Sequence, residues 1–395
     1  MQAGRERIHY HEGVHRMISY ELIWNLLKRV GKEYPTTSLY LDLSSPKFTT
    51  KDAEIILKGM IKEKRHEVEE GSLSREEKLS LADDFEKLSR YVTTELNRKG
   101  SKGIAIFSSS SSKLWETYPL PGPVRNLLVI DRAPYIRPFT MLLDQYKRYC
   151  TVLVDRERAR VFAVCLGEIE DHSQIFDEVP GRVKASGWGG YEERRIERHI
   201  EDHVHRHLRN VADVTYEFLR NRNFDRLIVG GQAEIVPEFE RMLHSYLKER
   251  IVARINVDSS ISLDEALKRT MQVDKEIEER SDIELVRKLV ESAKGGGLGV
   301  LGLRATLGAL RRNQVHTLVL EIGYVAGGVV CDSCLFIGID EQECPICHAK
   351  TRNVPDVVEE AIRETLRQSA NVVHVSVPSE LEKEGRIGAI LRFAL

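Results

Sequence analysis

Long apolar runs are missing from this sequence. No stretch of its 395 residues approaches the roughly 18 to 20 consecutive apolar residues that cross a bilayer, which excludes a helical membrane span. An excess of one charge is missing too: 59 basic and 61 acidic side chains leave a formal net charge of -2, so a nucleic-acid surface has to be a local patch. Cysteine is scarce, with six in the whole chain, too few for a disulfide scaffold of this length. The segment from Met1 to Arg16 is polar and charged and lacks the apolar core of a signal peptide, which places the chain in the cytoplasm. What is present, 42% hydrophobic and 30% charged residues, suffices for ordinary cores and excludes a disordered or collagen-like chain.

Periodicity predicts a mixed α/β chain of several domains. Apolar residues at helical spacing over 17–31 precede a β-rich run from Thr37 to Leu43. Residues 51–98 read as two charged helices broken at Glu70-Gly71-Ser72, and Gly103 to Phe107 as a buried strand. The five serines from Ser108 to Ser112 that follow are a polar turn without an assigned role. A new unit opens near Asp144: Cys150 to Val154 and Ala159 to Leu166 flank Asp155-Arg156-Glu157-Arg158 in the form of a hairpin. A Gly-rich loop, a long charged helix over 192–221, the strand Arg226 to Val229 and a helix over 237–250 follow. An amphipathic helix over 263–293 ends at Gly295, Gly296, Gly297 and Gly299, where a hinge into a last domain is expected. That domain alternates helix and strand around a cysteine module. The predicted domains are 1–145, 146–282 and 283–395, with the cysteine module at 331–347 inside the last.

The module supplies four thiolates as Cys331-x2-Cys334-x9-Cys344-x2-Cys347, two knuckles short enough to turn both sulfurs onto one tetrahedral ion. Zn²⁺ is the expected ion, and four sulfurs leave no open position for water, so the site is structural. His348 adjoins the last ligand and is not needed to complete the set.

Two glycine motifs compete for a functional role. Gly230-Gly231-Gln232 invites comparison with the Gly-Gly-Gln tip of class-I peptide release factors, yet it ends an apolar strand and leads through Pro237 into a helix, so it is expected to be a strand-to-helix turn. The loop from Gly181 to Tyr191 is the better projecting element. It holds Arg182, Lys184, Trp188, Gly189 and Gly190, and it runs into a helix carrying Arg194, Arg195 and Arg198. With Tyr191, these residues are the candidate contacts to RNA phosphate and bases. His199, His203 and His207 fall on one face of the same helix at a spacing that metal ligands also use, although Glu201 and Asp202 intervene and no His-Glu-x-x-His pattern is present.

Taken together these residues resemble the archaeal and eukaryotic class-I release factor and Pelota superfamily, including bacterial relatives such as the hibernation factor Balon. The resemblance rests on the hairpin, the tip loop, the basic helix, Leu227-Ile-Val-Gly-Gly-Gln-Ala-Glu-Ile-Val-Pro-Glu-Phe and Gly388-Ala-Ile-Leu-Arg-Phe. It implies three α/β domains: a release-factor-like N domain, an RNase H-like middle domain, and a C domain like ribosomal protein L7Ae with an inserted zinc ribbon. It implies a ribosomal partner, with the A site and its rRNA as the docking place, and a translational GTPase. Two departures bear on function. Tyr191 follows Gly189-Gly190 where a release factor has its glutamine, so no catalytic residue is assigned. Neither an Asn-Ile-Lys-Ser nor a Tyr-x-Cys-x3-Phe signature is present, and Lys47, Thr49, Thr50 and Lys51 occupy the comparable stretch. The expected function is a non-decoding translation factor of ribosome rescue or hibernation. A peptidyl-tRNA hydrolase using Gln232 and a zinc-bearing RNA-binding scaffold are the alternatives.

Overall fold

The computed structural model describes the chain apart from residues 1–3, 10–19, 30–33, 72, 98–100, 146, 166, 178, 180–189, 223, 377–379 and 395; for 4–9, 145, 190–197 and 222 it describes the backbone alone. The elements begin with β1 (Gly4–His9), α1 (Tyr20–Arg29), β2 (Thr36–Asp42), α2 (Thr50–Glu70), α3 (Arg75–Thr94), β3 (Gly103–Ser109), β4 (Leu114–Leu120), β5 (Leu127–Asp131) and α4 (Arg137–Gln145). Next come β6 (Arg148–Val154), β7 (Arg158–Cys165), β8 (Glu168–Phe176), α5 (Gly190–Arg222), β9 (Arg226–Gly231), α6 (Ile235–Met242), α7 (Ser245–Lys248), β10 (Ile251–Asn256) and α8 (Leu263–Lys294). The last stretch holds β11 (Gly299–Leu301), α9 (Leu303–Arg311), β12 (Val315–Glu321), β13 (Gly328–Val330), β14 (Ile337–Gly338), β15 (Arg352–Val354), α10 (Val357–Arg367), β16 (Asn371–Val375), α11 (Glu380–Lys383) and β17 (Ile387–Leu391).

These elements form two compact units. One joins Met1–Glu12 to Tyr146–Glu278, and the other joins Gly13–Gln145 to Glu279–Leu395. The grouping cuts across the three-part division read from the sequence, because most of the first and last thirds share one core. Tyr40, Phe107 and Phe139 belong to the same buried cluster as Leu310, Leu318, Val358 and Ile362.

In the first unit the sheet order is β1-β8-β7-β6-β9-β10. The hairpin read at Asp155 forms as expected, β6 pairing antiparallel with β7 and the Asp155 N–H donating to the Arg158 carbonyl at 2.8 Å. β9 then runs parallel to β6, and β10 parallel to β9. In order of occurrence from β6 the strands lie third, second, first, fourth, fifth, which agrees with the RNase H-like layer that the resemblance implies. α5 and α6 cover one face through Leu208, Val211, Phe218 and Phe239. α8 covers the other with Ala266, Leu267 and Met271. Three strands depart from the sequence reading. β1 is charged, and it joins the sheet at its edge by pairing with β8. β8 and β10 lie beyond the hairpin and the helix pair that were legible. The single helix expected over 237–250 is two, α6 and α7, parted at Leu243 and His244.

The second unit holds three sheets. The order β4-β3-β2-β5 is antiparallel throughout. α2 and α3 pack on one face through Leu57, Ile61, Phe85 and Leu88. Thr49 and Ser74 cap the two helices, with Asp52 and Glu77 completing reciprocal boxes. The serine run proves to be an anchor. Buried Asp84 accepts from Ser108 Oγ and Ser110 Oγ at 2.6 Å each and from the Ser110 N–H at 2.8 Å. The sheet β11-β17-β12-β16 is mixed, β12 pairing parallel with β16 and antiparallel with β17. The small sheet β14-β13-β15 carries the cysteine module.

A buried charge network fastens the segment 131–144 to α10 and β16 within this unit. Arg363 is fully buried and spends its guanidinium on five acceptors. It donates to Asp131 Oδ2 at 3.0 Å, Glu360 Oε1 at 2.6 Å, the Pro134 carbonyl at 3.1 Å and the Ala133 carbonyl at 3.2 Å, and its Nε lies 3.4 Å from Glu359 Oε1. Glu359 in turn accepts from the Ile136 N–H at 2.7 Å. Arg137 reaches back to the Tyr324 carbonyl at 2.9 Å and to Asp356 at 2.9 Å.

Candidate functional site

The four cysteines meet. Their sulfurs all lie within 4.8 Å of one another, and the pairs Cys331–Cys347 and Cys334–Cys344 stand at 3.4 Å. The two knuckles repeat one backbone pattern. The Cys331 N–H donates to the Phe336 carbonyl and the Leu335 N–H returns to the Cys331 carbonyl, both at 2.9 Å. Likewise the Cys344 N–H donates to the Ala349 carbonyl and the His348 N–H to the Cys344 carbonyl, again both at 2.9 Å. Each turn closes on a left-handed residue, Leu335 at φ 63 and His348 at φ 57. Amides therefore point into the sulfurs. The Cys334 N–H, followed by the Cys347 thiol, holds the Cys331 thiol down at about 6, whereas burial pushes Cys334 up to about 12. A set of soft donors at edge-of-tetrahedron separations fits a single ion bound at about 2.3 Å from each sulfur. His348 is turned away, its Nδ1 standing 3.2 Å from Glu343 Oε1. Among the described residues no other group of metal-ligating side chains converges.

Gly230 and Gly231 are the last two residues of β9, inside the sheet. They are glycines because the neighbouring strands come too close for anything else. A Cβ at Gly230 would lie 2.4 Å from Leu153 Cδ2 and 2.9 Å from Ile255 Cγ1, and one at Gly231 would lie 2.4 Å from the Val154 carbonyl oxygen. Gln232 is exposed, and its carbonyl receives the Ile235 N–H at 3.0 Å and the Val236 N–H at 3.2 Å, which starts α6. The motif is thus a strand-to-helix turn, as its flanking residues suggested.

The candidate RNA contacts fall unevenly. Arg182, Lys184, Trp188 and Gly189 lie outside the described residues, and Gly190 begins α5. Tyr191, Arg194 and Arg195 lie on the first turns of α5, with their side chains outside the description. Arg198 is exposed one turn further on. The three histidines do not share a centre. His199 and His203 place their rings 4.8 Å apart, but His207 is buried and its Nδ1 meets Asp177 Oδ2 at 2.8 Å. A solvated face with one buried histidine is what remains of the metal spacing.

Two further arrangements were not read from the sequence. Asp144, His374 and Thr140 line up in the order of a hydrolase triad, His374 Nδ1 at 2.7 Å from Asp144 Oδ2 and Nε2 at 3.5 Å from Thr140 Oγ1. Thr140 is buried and its hydroxyl donates to the Arg137 carbonyl at 2.9 Å, so no nucleophile is presented. The second is a groove of 450 Å³ along α2, where Lys58, Lys62, Arg65 and His66 gather with Glu69 and Ser89. Its basic residues recur at three- and four-residue steps, a one-face spacing that could have been found in the sequence.

Comparison with known proteins bears on the same region. Residues 134–275 match the model of bacterial archaeo-eukaryotic release factor family 10. Peptide chain release factor subunit 1 of Methanocaldococcus jannaschii is 25% identical over 337 residues, which is 74% of this chain and 79% of that protein. By these matches the chain is similar to the release-factor/Pelota superfamily. A second relative, peptide chain release factor subunit 1 of Methanopyrus kandleri, is 30% identical over 188 residues, 46% of this chain and 45% of that one. Among solved structures, an archaeal translation termination factor covers 94% of this chain and 96% of its own at 17% identity and a TM-score of 0.26. Ribosome-bound archaeal Pelota, in a structure with ABCE1, covers 99% of this chain and 97% of its own at 15% identity and a TM-score of 0.40. The relatives that match in sequence are peptide chain release factors. Among its described residues no helix is long and apolar enough to cross a membrane.

Proposed function

We propose that this protein enters the ribosomal A site as a non-decoding, non-hydrolytic factor in ribosome rescue or hibernation. The carrying observation is the state of its two glycine motifs. Gly230 and Gly231 are locked between neighbouring strands, and Gly189-Gly190 is followed in sequence by Tyr191 in place of an amide. On this reading Arg182, Lys184, Trp188, Gly189, Gly190, Tyr191, Arg194, Arg195 and Arg198 contact RNA along the tRNA path. A cationic loop feeding a basic helix suits phosphate at close range. Cys331, Cys334, Cys344 and Cys347 hold one structural Zn²⁺, which fixes the knuckles and supplies no chemistry to a reaction. The second unit's C-terminal part offers a docking surface to a translational GTPase, and the protein works in the cytoplasm.

The test is co-sedimentation with vacant and with peptidyl-tRNA-loaded ribosomes, with peptide release assayed in the same samples. Pelleting without release is expected. Release that disappears in Gln232→Ala would establish the hydrolase in its place, and failure to pellet with either particle would leave the RNA-binding scaffold.

A further inference from the structure

The corner between α3 and the edge strand β4 carries a small concave site that the ribosomal reading does not use. Lys87, Arg90 and Tyr91 of α3, with Glu95 just past its end, face Trp115 of β4 around a cavity of 230 Å³. Local structure explains why an indole stands there. The Ser110–Lys113 turn closes with Lys113 at φ 55, so β4 begins at Leu114, which points into the core, and strand alternation sends Trp115 outward. Trp115 stays 37% exposed, and its ring meets Tyr91 edge-on, with centroids 5.6 Å apart and planes at 64°.

The corner is braced from behind. Lys87 Nζ donates to Ser110 Oγ at 2.9 Å, and Ser110 is held by buried Asp84. Among the described residues the Arg90 guanidinium has neither an ion pair nor a hydrogen bond. Two cations and one carboxylate therefore surround two aromatic faces.

We propose that this corner binds one unpaired RNA nucleotide, its base stacked against Trp115 and Tyr91 and its phosphate on Arg90 and Lys87. Any base presents a π-face to such a platform, and the neighbouring cations select a ligand that is aromatic and anionic at once. The cavity is smaller than the roughly 300 Å³ of a drug-sized pocket, which suits a base inside and a phosphate at the rim. A methylated ammonium would suit the rings and Glu95, but it would meet Lys87 and Arg90 at like charge. The inference stands on this corner's own residues and does not require ribosome binding.

The test titrates the full chain with fluorescein-labelled hexauridylate and hexaadenylate, followed by anisotropy. A hexamer of 4-thiouridine is photocrosslinked in parallel and the adduct mapped. The adduct is expected on Trp115 or Tyr91. Stacking worth about 1 to 3 kcal/mol per base makes the expected loss in Trp115→Ala roughly 5- to 150-fold, with Trp115→Phe recovering most of it. Arg90→Glu weakens both oligonucleotides alike and flattens the salt dependence. Far-UV circular dichroism and ribosome pelleting on the same variants separate a folding defect, or a failure of the ribosomal reading, from loss of this site. Crosslinks confined elsewhere, affinity unchanged in folded Trp115→Ala, or binding of a trimethyl-lysine peptide in place of RNA would overturn the assignment.

Discussion

Replacing Arg363 by methionine keeps most of the side-chain volume and removes one charge from the most enclosed ionic network of the second unit. Arg363 has five acceptors within 3.4 Å, among them Asp131, Glu359 and Glu360, and no solvent reaches it. In Arg363→Met the three carboxylates stay behind without their shared cation. Breaking a buried pair from one side costs about 3 to 5 kcal/mol. For a unit of this size each kcal/mol moves the melting temperature by about 2 to 4 °C, so the expected drop is about 6 to 20 °C in a calorimetric scan. The deficit also has a pH signature. Burial already holds the Glu359 carboxyl up at about 7, with Arg363 and Arg137 pulling against it. Without Arg363 it rises further. A carboxyl raised in the folded state contributes stability that is complete below its unfolded pKa and lost as pH climbs through the folded one. The variant therefore lies nearest wild type around pH 5 and falls away toward pH 8, and adding Glu359→Gln restores part of the loss. Arg304→Met is the control, since Arg304 is 63% exposed beside Asp340 and an ion pair in open solvent contributes little to stability. If Arg363→Met melts no earlier than Arg304→Met at pH 8, the network is not what fastens residues 131–137 to α10.

Metal removal and backbone crowding give two further expectations. Purified protein should carry one Zn²⁺ per chain by plasma mass spectrometry. Chelation, or Cys344→Ser, should release it and expose 331–354 to protease, since a four-thiolate site contributes roughly 10 kcal/mol or more to its module. Gly230→Ala should cost about 1 to 3 kcal/mol in urea unfolding, because its Cβ would enter the space of Leu153 and Ile255. Gln232→Ala, two residues on and exposed, should leave the unfolding midpoint where it was.

What could be read in the sequence was what is written locally. The hairpin at Asp155, the helix break at Glu70-Gly71-Ser72, and the cysteine knuckles each depend on residues within a few positions of one another. The edge strand β1 could not be read this way. Gly-Arg-Glu-Arg-Ile-His carries one large apolar residue, and it is a strand only because β8 offers it a free edge. β10 did carry a signal, since apolar Ile251, Ala253 and Ile255 stand at every second position, with Arg254 and Asn256 between and after them. The deepest miss is Arg363. Glu359-Glu360-Ala-Ile-Arg363 has the spacing of an ordinary solvent-facing ion pair, and only tertiary partners from 131–137 turn it into an interior one. The Trp115 corner has the same character, for its parts lie on two elements and only the fold brings them together.

The edge pairing of β1 also sets an order of events during synthesis. Gly4 aligns with Phe176, so the strand made first waits for a partner made roughly 170 residues later. At roughly 5 to 20 residues per second that is an interval on the order of ten seconds or more. Until it ends the sheet that receives β1 lacks its partner strand, while β2 to β5 are all made within it. Arg5, Glu6 and Arg7 let the waiting segment remain solvated, which a more apolar strand of equal length would not.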